Sequence, residues 1–472
     1  MTARRALLCI VLVAIVHGVF FIWYQRPDWY TPDAWTDQVG YRQLGQALAT
    51  TGKFTKFPDA AELVPEVIRT PVYPMFLAVI YKVAGTRQLP VALTQTALFA
   101  AMVLFVYAIA RRIDDGRDGV ALGAAALTAL FSPIPYFGAL VLTELWTTFV
   151  FTASMWMAIR AVQSRRLVEF GALGILLGIT ALSRPIFALF PVGIVLVGLV
   201  FFPLTGVTRV RRPAMTSWAV LLATFAIAML PWFTYNYVTL GQLTLSPAGG
   251  MGRGMWEGSW QATWSGRLQN ELTLVAEAAE AAGDRGQLDA RVEAIAAREH
   301  LSSAPMLEYV HQWWDIRRIW TAPAEPQARA AARVEADKEY MRVGRSNISQ
   351  QSTAHIAKRL ARGVFILWAG EIPIRYSDIN ALPTIVTRVI WGIQALLFLA
   401  AAGGVYALIR AGHAVEGCTL GAAIVYVTAV HFFILTEARQ SLPAQPTLLV
   451  LAAFGIAHLL ALKSQVHERE HL

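Results

Sequence analysis

Residues 7–24 read LLCIVLVAIVHGVFFIWY, an apolar run with His17 as its one ionisable residue other than Cys9 and Tyr24, and it follows closely on Arg4 and Arg5. A helix needs about 20 apolar residues to cross the hydrocarbon core of a bilayer. The run is long for the apolar part of a secretory signal, and no small-residue cleavage site follows it before Tyr24. It therefore predicts a membrane-spanning helix rather than a leader that is removed.

The rest of the chain repeats this pattern. Hydrophobic residues make up 56% of the 472 positions, which a water-soluble domain of this size would not tolerate on its surface. Nine further stretches could cross a bilayer: Leu89–Ala110, Val120–Tyr136, Leu140–Ala161, Val168–Leu182, Ile186–Phe202, Trp218–Tyr237, Thr384–Ile409, Cys418–Leu435 and Leu442–Leu462. We predict an all-α polytopic membrane protein with about 10–12 transmembrane helices, the number being open because prolines interrupt several stretches.

The positive charges indicate topology rather than nucleic-acid binding. The formal net charge is +9, but the basic residues stand in short loops between apolar stretches. With the amino terminus inside, all of these loops fall on one side of the membrane, as the positive-inside rule requires. The basic groups are Arg111, Arg112 and Arg117; Arg160, Arg165 and Arg166; Arg209, Arg211 and Arg212; Arg410; and Lys463.

This topology divides the chain into six segments. They are a first transmembrane helix (1–24), a first outer loop (25–88), a transmembrane bundle (89–238), an outer domain (239–383), C-terminal transmembrane helices (384–462) and a cytoplasmic tail (463–472). The two long polar segments are predicted to form a smaller helical cap on the outer side. Amphipathic helices are expected at residues 35–48 and 355–368, and an alanine-rich helix near residues 271–298.

Asp37 is the first candidate for chemistry in the outer loop. Its position in the first turn of an amphipathic helix is also favourable for a carboxylate that merely caps the helix. Arg69 stands just before Pro71 and Pro74 and an apolar helix too short to span. An arginine held this way beside the bilayer is placed to bind a phosphate, although it could also contact lipid headgroups.

Several motifs, in this order, carry a family resemblance. Asp37 and Tyr41 precede RTPVYPMFLA at 69–78, and these are followed by LTE at 142–144, ALSRP at 181–185, PWFTYNY at 231–237 and EARQSLPAQP at 437–446. The pattern resembles the GT-C membrane glycosyltransferases, above all the group that contains protein O-mannosyltransferases and lipid A aminoarabinose transferases. The chain has Tyr235-Asn236 where the family commonly has Arg-Asn, and Arg439-Gln440 where it commonly has Arg-Tyr.

The resemblance implies an inverting glycosyltransferase of the bacterial cytoplasmic (inner) membrane, with its active site outside. The donor would be a hexose or pentose on polyprenyl phosphate, and the acceptor a hydroxyl of a glycan, lipid or protein. Asp37 matches the acidic residue that acts at the reacting centre in the family. Its carboxylate is suited to act as a base that removes the proton of the acceptor hydroxyl. Arg69, Arg184 and Arg439 are the candidates for the donor phosphate, and Tyr41, Tyr73, Glu144 and Glu437 for substrate-binding or accessory roles.

Simpler roles for these groups stay open. Arg184 and Arg439 could contact lipid headgroups, and Glu144 could form a purely structural ion pair. Trp256, Trp260 and Trp264 could stack on a sugar, although tryptophans near span ends are usual in membrane proteins.

No metal site or disulfide is predicted, since the two cysteines lie in apolar stretches and the histidines lack ligand spacing. A divalent cation held by Asp37 and a second carboxylate stays open. The chief alternative function is a transporter or flippase for polyprenyl-linked lipid or sugar. Such a protein would carry its ionisable groups near the middle of the bilayer rather than at one face. A receptor or scaffold is a third class.

Overall fold

A computed structural model describes residues 2–26, 29, 36–204, 213–375 and 382–470, and within these ranges the chain forms helices and no strand. The first ten helices are α1 Ala3–Gln25, α2 Thr36–Thr51, α3 Val72–Ala84, α4 Gln88–Ile113, α5 Gly119–Leu130, α6 Pro133–Gly138, α7 Thr143–Ser164, α8 Leu167–Ser183, α9 Phe190–Leu204 and α10 Met215–Leu240. The remaining nine are α11 Met251–Trp260, α12 Gly266–Ala282, α13 Arg285–Glu299, α14 Ser303–Thr321, α15 Pro326–Ser349, α16 Thr353–Trp368, α17 Thr384–Arg410, α18 Ala414–Val430 and α19 Gln445–Glu470.

Six helices of the described ranges are long and apolar enough to cross a membrane: α1, α4, α7, α10, α17 and α19 with the 3₁₀ turn before it. Shorter apolar helices, among them α5, α8, α9 and α18, coincide with the other predicted spans. On α1, Leu8, Leu12 and Val16 are each 60% exposed along one face, as expected of a lipid-facing surface. The predicted all-α polytopic fold is confirmed.

Prolines explain where the helices differ from the predicted spans. The stretch 120–136 is not one helix, because α5 ends at Leu130 and α6 begins at Pro133. Pro185 ends α8 and starts a 3₁₀ helix, Pro185–Phe187. A second 3₁₀ helix, Ala438–Ala444, contains Pro443 and leads into α19. Proline disfavours helical geometry in the residue before it, so helices end or restart there.

Small residues bring the long helices together. A Cβ on Gly404 of α17 would lie 1.9 Å from the Leu451 carbonyl oxygen, and one on Gly455 would lie 1.8 Å from that of Ala400. The backbones of α17 and α19 therefore touch, a packing mode typical of helices in membranes, where there is no hydrophobic drive for association.

Helices α11–α15, within the segment predicted to form the cap, pack around their own aromatic core, whereas Leu367 and Trp368 of α16 pack with the long helices. Trp256, Trp260 and Trp264 are buried in the aromatic core, and the Trp256 ring stacks on Tyr309 with centroids 5.0 Å apart. These tryptophans do not offer an open face for a sugar, so the suggestion that they stack on a sugar is wrong. The alanine-rich region forms two helices, α12 and α13, because Gly283 adopts a left-handed conformation, φ +70°, between them.

The described basic groups at the junctions of α4 with α5 and of α7 with α8 lie at one end of the bundle. The last turn of α4 carries Arg112, whose Nε donates to Gln163 near the end of α7 at 2.7 Å. At the opposite end, Gln88 in the first turn of α4 donates to the Ala139 carbonyl just before α7. The bundle therefore separates a basic end from the end that carries the acidic residues described below. Arg209, Arg211 and Arg212 lie outside the described residues.

Candidate active site

Asp37 and Arg69 form an ion pair beside the first turn of α2. The Arg69 Nη2 donates to Asp37 Oδ1 at 2.9 Å, and the guanidinium lies 4.8 Å from the centre of the Tyr41 ring. The Asp37 side chain is 52% exposed, so its carboxylate can still meet an incoming group. The Arg69 guanidinium packs against Gly40, where there is no side chain. A Cβ at this position would lie 2.5 Å from the Arg69 Cζ.

The segment that carries Arg69 is fixed on both sides. The Glu66 carboxylate accepts the backbone N–H groups of Ile68 at 2.8 Å and of Arg69 at 3.2 Å. On the other side, the Ser246 hydroxyl donates to the Ile68 carbonyl. Thr70 donates to the carbonyl of Ser183 at 3.4 Å, which ties the segment to the end of α8.

The contact at Gly40 gives a direct test of the Arg69 position. Gly40→Ala should displace the flexible end of Arg69 rather than the backbone, and helix propensity should maintain or raise stability. Arg69 is one of the predicted phosphate ligands. Losing a charge-assisted hydrogen bond between Arg69 and the phosphate costs about 1.5–3 kcal/mol, so we expect binding of polyprenyl phosphate to weaken by roughly tenfold or more.

The matched control is Gly123→Ala in α5, where a Cβ would meet open space. This variant should gain helix stability and keep wild-type binding. Equal binding by the two variants would show that the Arg69 position does not matter to the ligand.

A second ionic cluster surrounds Glu144 in the first turn of α7. Glu144 Oε1 accepts from Arg184 Nη2 at 2.7 Å and from Arg439 Nη1 at 3.3 Å, and the Arg184 Nε donates to the Thr143 hydroxyl at 3.2 Å. Arg439 also pairs with Glu437 at 2.9 Å. The Glu144 side chain is 2% exposed, while the side chains of Arg184 and Arg439 are each about one-fifth exposed. One buried carboxylate thus holds two arginines that stay partly accessible.

Local sequence explains both arginine positions. Pro185 forces Arg184 into an extended conformation, φ −141° and ψ +113°, which ends α8 and turns the side chain toward α7. Arg439 lies in the 3₁₀ helix Ala438–Ala444, which begins with a capping box. In that box the Gln440 side chain accepts the Glu437 N–H at 3.1 Å. The glutamine that departs from the family pattern therefore has a structural role.

Tyr41 lies between the two clusters. Burial, partly offset by the positive charge of Arg69, raises the pKa of its hydroxyl to about 12, and the charges of Asp37, Glu144 and Arg184 also act on it. Asp37 likewise contributes to the electrostatic field at Arg439. The structure thus brings the predicted acid and the three predicted arginines into one region, although they are far apart in sequence.

Tyr73 lies behind Tyr41 and is not exposed. Its side chain is fully buried, its hydroxyl donates to Gln95 at 3.3 Å, and its ring packs against that of Tyr41. The contacts of Tyr73 are packing contacts, and its predicted substrate-binding or accessory role stays a prediction. Within the described ranges, no group of three or more His, Cys, Asp or Glu side chains is placed to hold a metal ion, and Asp37 has Arg69 as its partner.

Sequence reasoning missed the glutamines that position Glu144. Gln95 donates to the carbonyls of Gly138 at 2.9 Å and Leu140 at 2.8 Å, and the Gln38 side chain accepts the Val141 N–H at 2.9 Å. These bonds fix the irregular segment before α7. The signal was available, because a polar side chain within an apolar helix must find partners.

Sequence reasoning also missed Glu371. It follows α16, and the charged groups that act on it are Glu437, Arg439 and Glu144. Burial, followed by the negative charge of Glu437, raises the pKa of Glu371 to about 7.

The family model described as dolichyl-phosphate-mannose-protein mannosyltransferase matches residues 68–235, which include Arg69, Glu144 and Arg184. The resemblance to the GT-C glycosyltransferases is confirmed. None of the curated proteins compared matches the chain.

Solved structures with this GT-C fold are similar over nearly the whole chain. The oligosaccharyltransferase AglB from Archaeoglobus fulgidus, in complex with an inhibitory peptide and a dolichol-phosphate, has a TM-score of 0.53 at 11% identity, over 99% of this chain and 51% of that one. An Archaeoglobus fulgidus oligosaccharyltransferase tethered with an acceptor peptide has a TM-score of 0.51 at 14% identity, over 96% of this chain and 49% of that one. ArnT from Cupriavidus metallidurans, bound to undecaprenyl phosphate, has a TM-score of 0.42 at 12% identity, over 96% and 78%.

The archaeal likeness shows the fold. The chain spans about half the length of the archaeal structures it matches.

Proposed function

We propose that this chain is an inverting glycosyltransferase that moves a sugar from a polyprenyl-phosphate carrier to an acceptor hydroxyl at the outer face of a bacterial cytoplasmic membrane. The GT-C relationship supports the reaction class, and the relatives whose structures contain dolichol-phosphate or undecaprenyl phosphate support the kind of carrier. The positive-inside pattern supports an amino terminus in the cytoplasm and a site on the other side.

The observation that carries the proposal is the arrangement around Asp37 and Glu144. An exposed carboxylate lies beside Arg69, and two further guanidiniums, from positions 184 and 439, share Glu144. A glycosyl transfer from a lipid phosphate needs these two elements: a base for the acceptor proton and cations for the departing phosphate.

The division of roles follows from exposure and charge. Asp37 removes the proton of the acceptor hydroxyl as the new bond to the anomeric carbon forms. Arg184 and Arg439, whose side chains are partly accessible, bind the phosphate oxygens together with Arg69, which also orients Asp37. A single displacement with the carrier leaving on the opposite face inverts the anomeric configuration and needs no second nucleophilic carboxylate.

A transfer assay tests this function against the flippase alternative. The protein is reconstituted in lipid vesicles containing a polyprenyl phosphate that bears a radiolabelled hexose or pentose, together with cell-envelope extract as acceptor. We expect label to move onto acceptor and free polyprenyl phosphate to accumulate in equal amount. Movement of intact donor between leaflets, without cleavage of the sugar–phosphate bond for any donor tested, would support a flippase and refute the transferase.

A further inference from the structure

The 3₁₀ helix that carries Arg439 is preceded by irregular backbone. Residues 434–437 lie between the turn that ends α18 and the 3₁₀ helix Ala438–Ala444, and they belong to no helix. The N–H and C=O groups of such a segment are not paired within it, so they need hydrogen-bond partners from other parts of the fold. These partners determine where the side chain of Arg439 is held.

Gln261, the C-cap residue of α11, bonds both backbone groups of Thr436. Its Nε2 donates to the Thr436 carbonyl at 2.9 Å, and its Oε1 accepts the Thr436 N–H at 3.3 Å. The two residues are only 6% and 4% exposed, so the pair is shielded from water. The side-chain amide therefore fixes the backbone three residues before Arg439.

Close backbone packing reinforces this contact. The Leu435 N–H donates to the Gly254 carbonyl of α11 at 2.6 Å. A Cβ on Gly258 would lie 2.6 Å from the Ile434 carbonyl carbon and 2.7 Å from the Leu435 nitrogen. Positions 254, 258 and 261 recur at intervals of four and three residues, which places them on one side of α11 and its C-cap. We call these contacts with residues 434–436 the α11 clamp.

The opposite end of α11 is tied to the segment that carries Arg69. The Asp337 carboxylate of α15 accepts the Gly252 N–H in the first turn of α11 at 3.2 Å. Val334, one turn earlier on α15, packs in one apolar cluster with Val67, two residues before Arg69. Helix α11 therefore connects the backbone beside Arg69 with the backbone that leads into the 3₁₀ helix.

We propose that Gln261 is a positioning residue for the donor site, which acts through Thr436 to hold Arg439 where its guanidinium binds the carrier phosphate. The proposal rests on the function above, because it requires the phosphate to lie on Arg439. Glu144 and Glu437 fix the tip of that side chain at 3.3 and 2.9 Å, whereas the α11 clamp fixes the backbone from which it extends. Because N–H···O distances in hydrogen bonds span only about 2.7–3.2 Å, a displacement of roughly 1 Å removes such a contact.

The first test is the binding of undecaprenyl phosphate to the full chain in detergent. Gln261→Leu keeps the approximate size of the side chain and removes both hydrogen bonds to Thr436. We expect its dissociation constant to rise about five- to tenfold, the equivalent of one ordinary hydrogen bond at the phosphate. In the transfer assay, KM for the donor should rise by the same factor and KM for the acceptor should not change. A wild-type dissociation constant for Gln261→Leu would overturn the proposal.

Gln351→Leu is the matched control. Gln351 also donates to a backbone carbonyl at the end of α11, that of Ser259 at 2.7 Å, but this bond does not involve residues 434–437. The variant loses one side-chain amide from the same region and should bind undecaprenyl phosphate like the wild type. Equal weakening in the Gln351 and Gln261 variants would overturn the specific role of Gln261.

Two glycine variants test the α11 clamp without altering Gln261. Gly258→Ala places a methyl group against the backbone of residues 434 and 435, whereas a Cβ on Gly254 would meet the Ile434 side chain at 3.4 Å, an ordinary contact distance. Both substitutions favour the helix. Gly258→Ala should weaken carrier binding and Gly254→Ala should not. If Gln261→Leu does not fold, this pair decides, and equal binding by the two would overturn the proposal.

A double-mutant cycle distinguishes the positioning of Arg439 from a general effect on the fold. When Arg439 is replaced by alanine, no guanidinium is left to be positioned. Adding Gln261→Leu to Arg439→Ala should therefore weaken binding further by no more than about twofold, the usual limit for effects that are not independent of experimental scatter. Effects of the two substitutions that multiply would show that Gln261 acts by another route, and would overturn the proposal.

Hydrogen exchange without ligand separates this inference from the proposed function. Gln261→Leu should speed the exchange of backbone amides in peptides that cover residues 434–440, and Gln351→Leu should not. Unchanged exchange in Gln261→Leu would refute the α11 clamp even if carrier binding and sugar transfer are intact. Unchanged carrier binding by Arg439→Ala would instead refute the proposed phosphate role of Arg439, and the role of Gln261 with it.

Discussion

Asp37→Asn is expected to fold normally and to transfer sugar about 10²–10⁴-fold more slowly than the wild type. Asparagine matches aspartate in shape and can still accept a hydrogen bond from Arg69, so the local structure should persist. It cannot take a proton from the acceptor, so the step that forms the new bond loses its base. Carrier binding should change much less than the rate, because the phosphate contacts belong to other residues.

The chain offers a matched control in Asp315. This aspartate also pairs with an arginine, Arg285, at 3.1 Å, and its side chain is 59% exposed. Asp315→Asn should transfer at the wild-type rate, with both variants compared by initial rates at saturating donor. A near-normal rate for Asp37→Asn would remove Asp37 from the mechanism.

Glu144→Ala is expected to destabilise the protein strongly. The carboxylate is buried and neutralises both Arg184 and Arg439. Removing one partner of a buried ion pair typically costs about 3–5 kcal/mol, because the remaining charge is left without compensation. The variant should show a lower transition temperature for thermal unfolding in detergent, while Glu144→Gln, which retains an acceptor, should lose less.

The exposed pair of Arg298 and Glu271, 2.8 Å apart, serves as the control. Glu271→Ala should cost no more than about 1 kcal/mol, as surface ion pairs contribute little. Polyprenyl phosphate should raise the transition temperature of Glu144→Ala by more than that of the wild type, since the phosphate anion can replace the missing carboxylate between the two arginines. An unchanged transition temperature for Glu144→Ala without ligand would contradict the geometry described for this cluster.

The sequence predicted the fold well because the bilayer restricts what an apolar chain can do. Each run of apolar residues must satisfy its backbone within itself, which leaves the helix as the available structure here. The prolines that break the predicted spans also act locally, and Pro133 and Pro185 are visible in the sequence. What the sequence did not resolve is how an interrupted span divides, as between α5 and α6, since that depends on the packing of neighbouring helices.

The site residues were predicted from the order of the motifs along the chain. The spacing of residues along each helix would have helped to separate packed residues from ligand candidates. Tyr73, Leu77 and Tyr81 recur every four residues on α3 and are all buried. Trp256 and Trp260 show the same spacing on α11 and are buried as well. Aromatic residues repeated at this interval indicate a packed helix face more often than a ligand site. The spacing rather than the residue type was the informative feature.

Glu371 could not have been found from the sequence. It belongs to no motif, and its neighbours Glu144 and Glu437 are distant along the chain and reach it only through tertiary packing. The perturbed pKa arises from that packing, because burial and nearby like charges act through space.

The most direct test of the central claim is a structure of the protein with a non-transferable analogue of a polyprenyl-phosphate sugar. The account predicts phosphate oxygens within roughly 3 Å of the Arg184 and Arg439 guanidiniums, with the anomeric carbon on the side of Asp37 and the isoprenoid chain between helices. A phosphate bound at the basic end of the bundle, or a sugar facing away from Asp37, would contradict it.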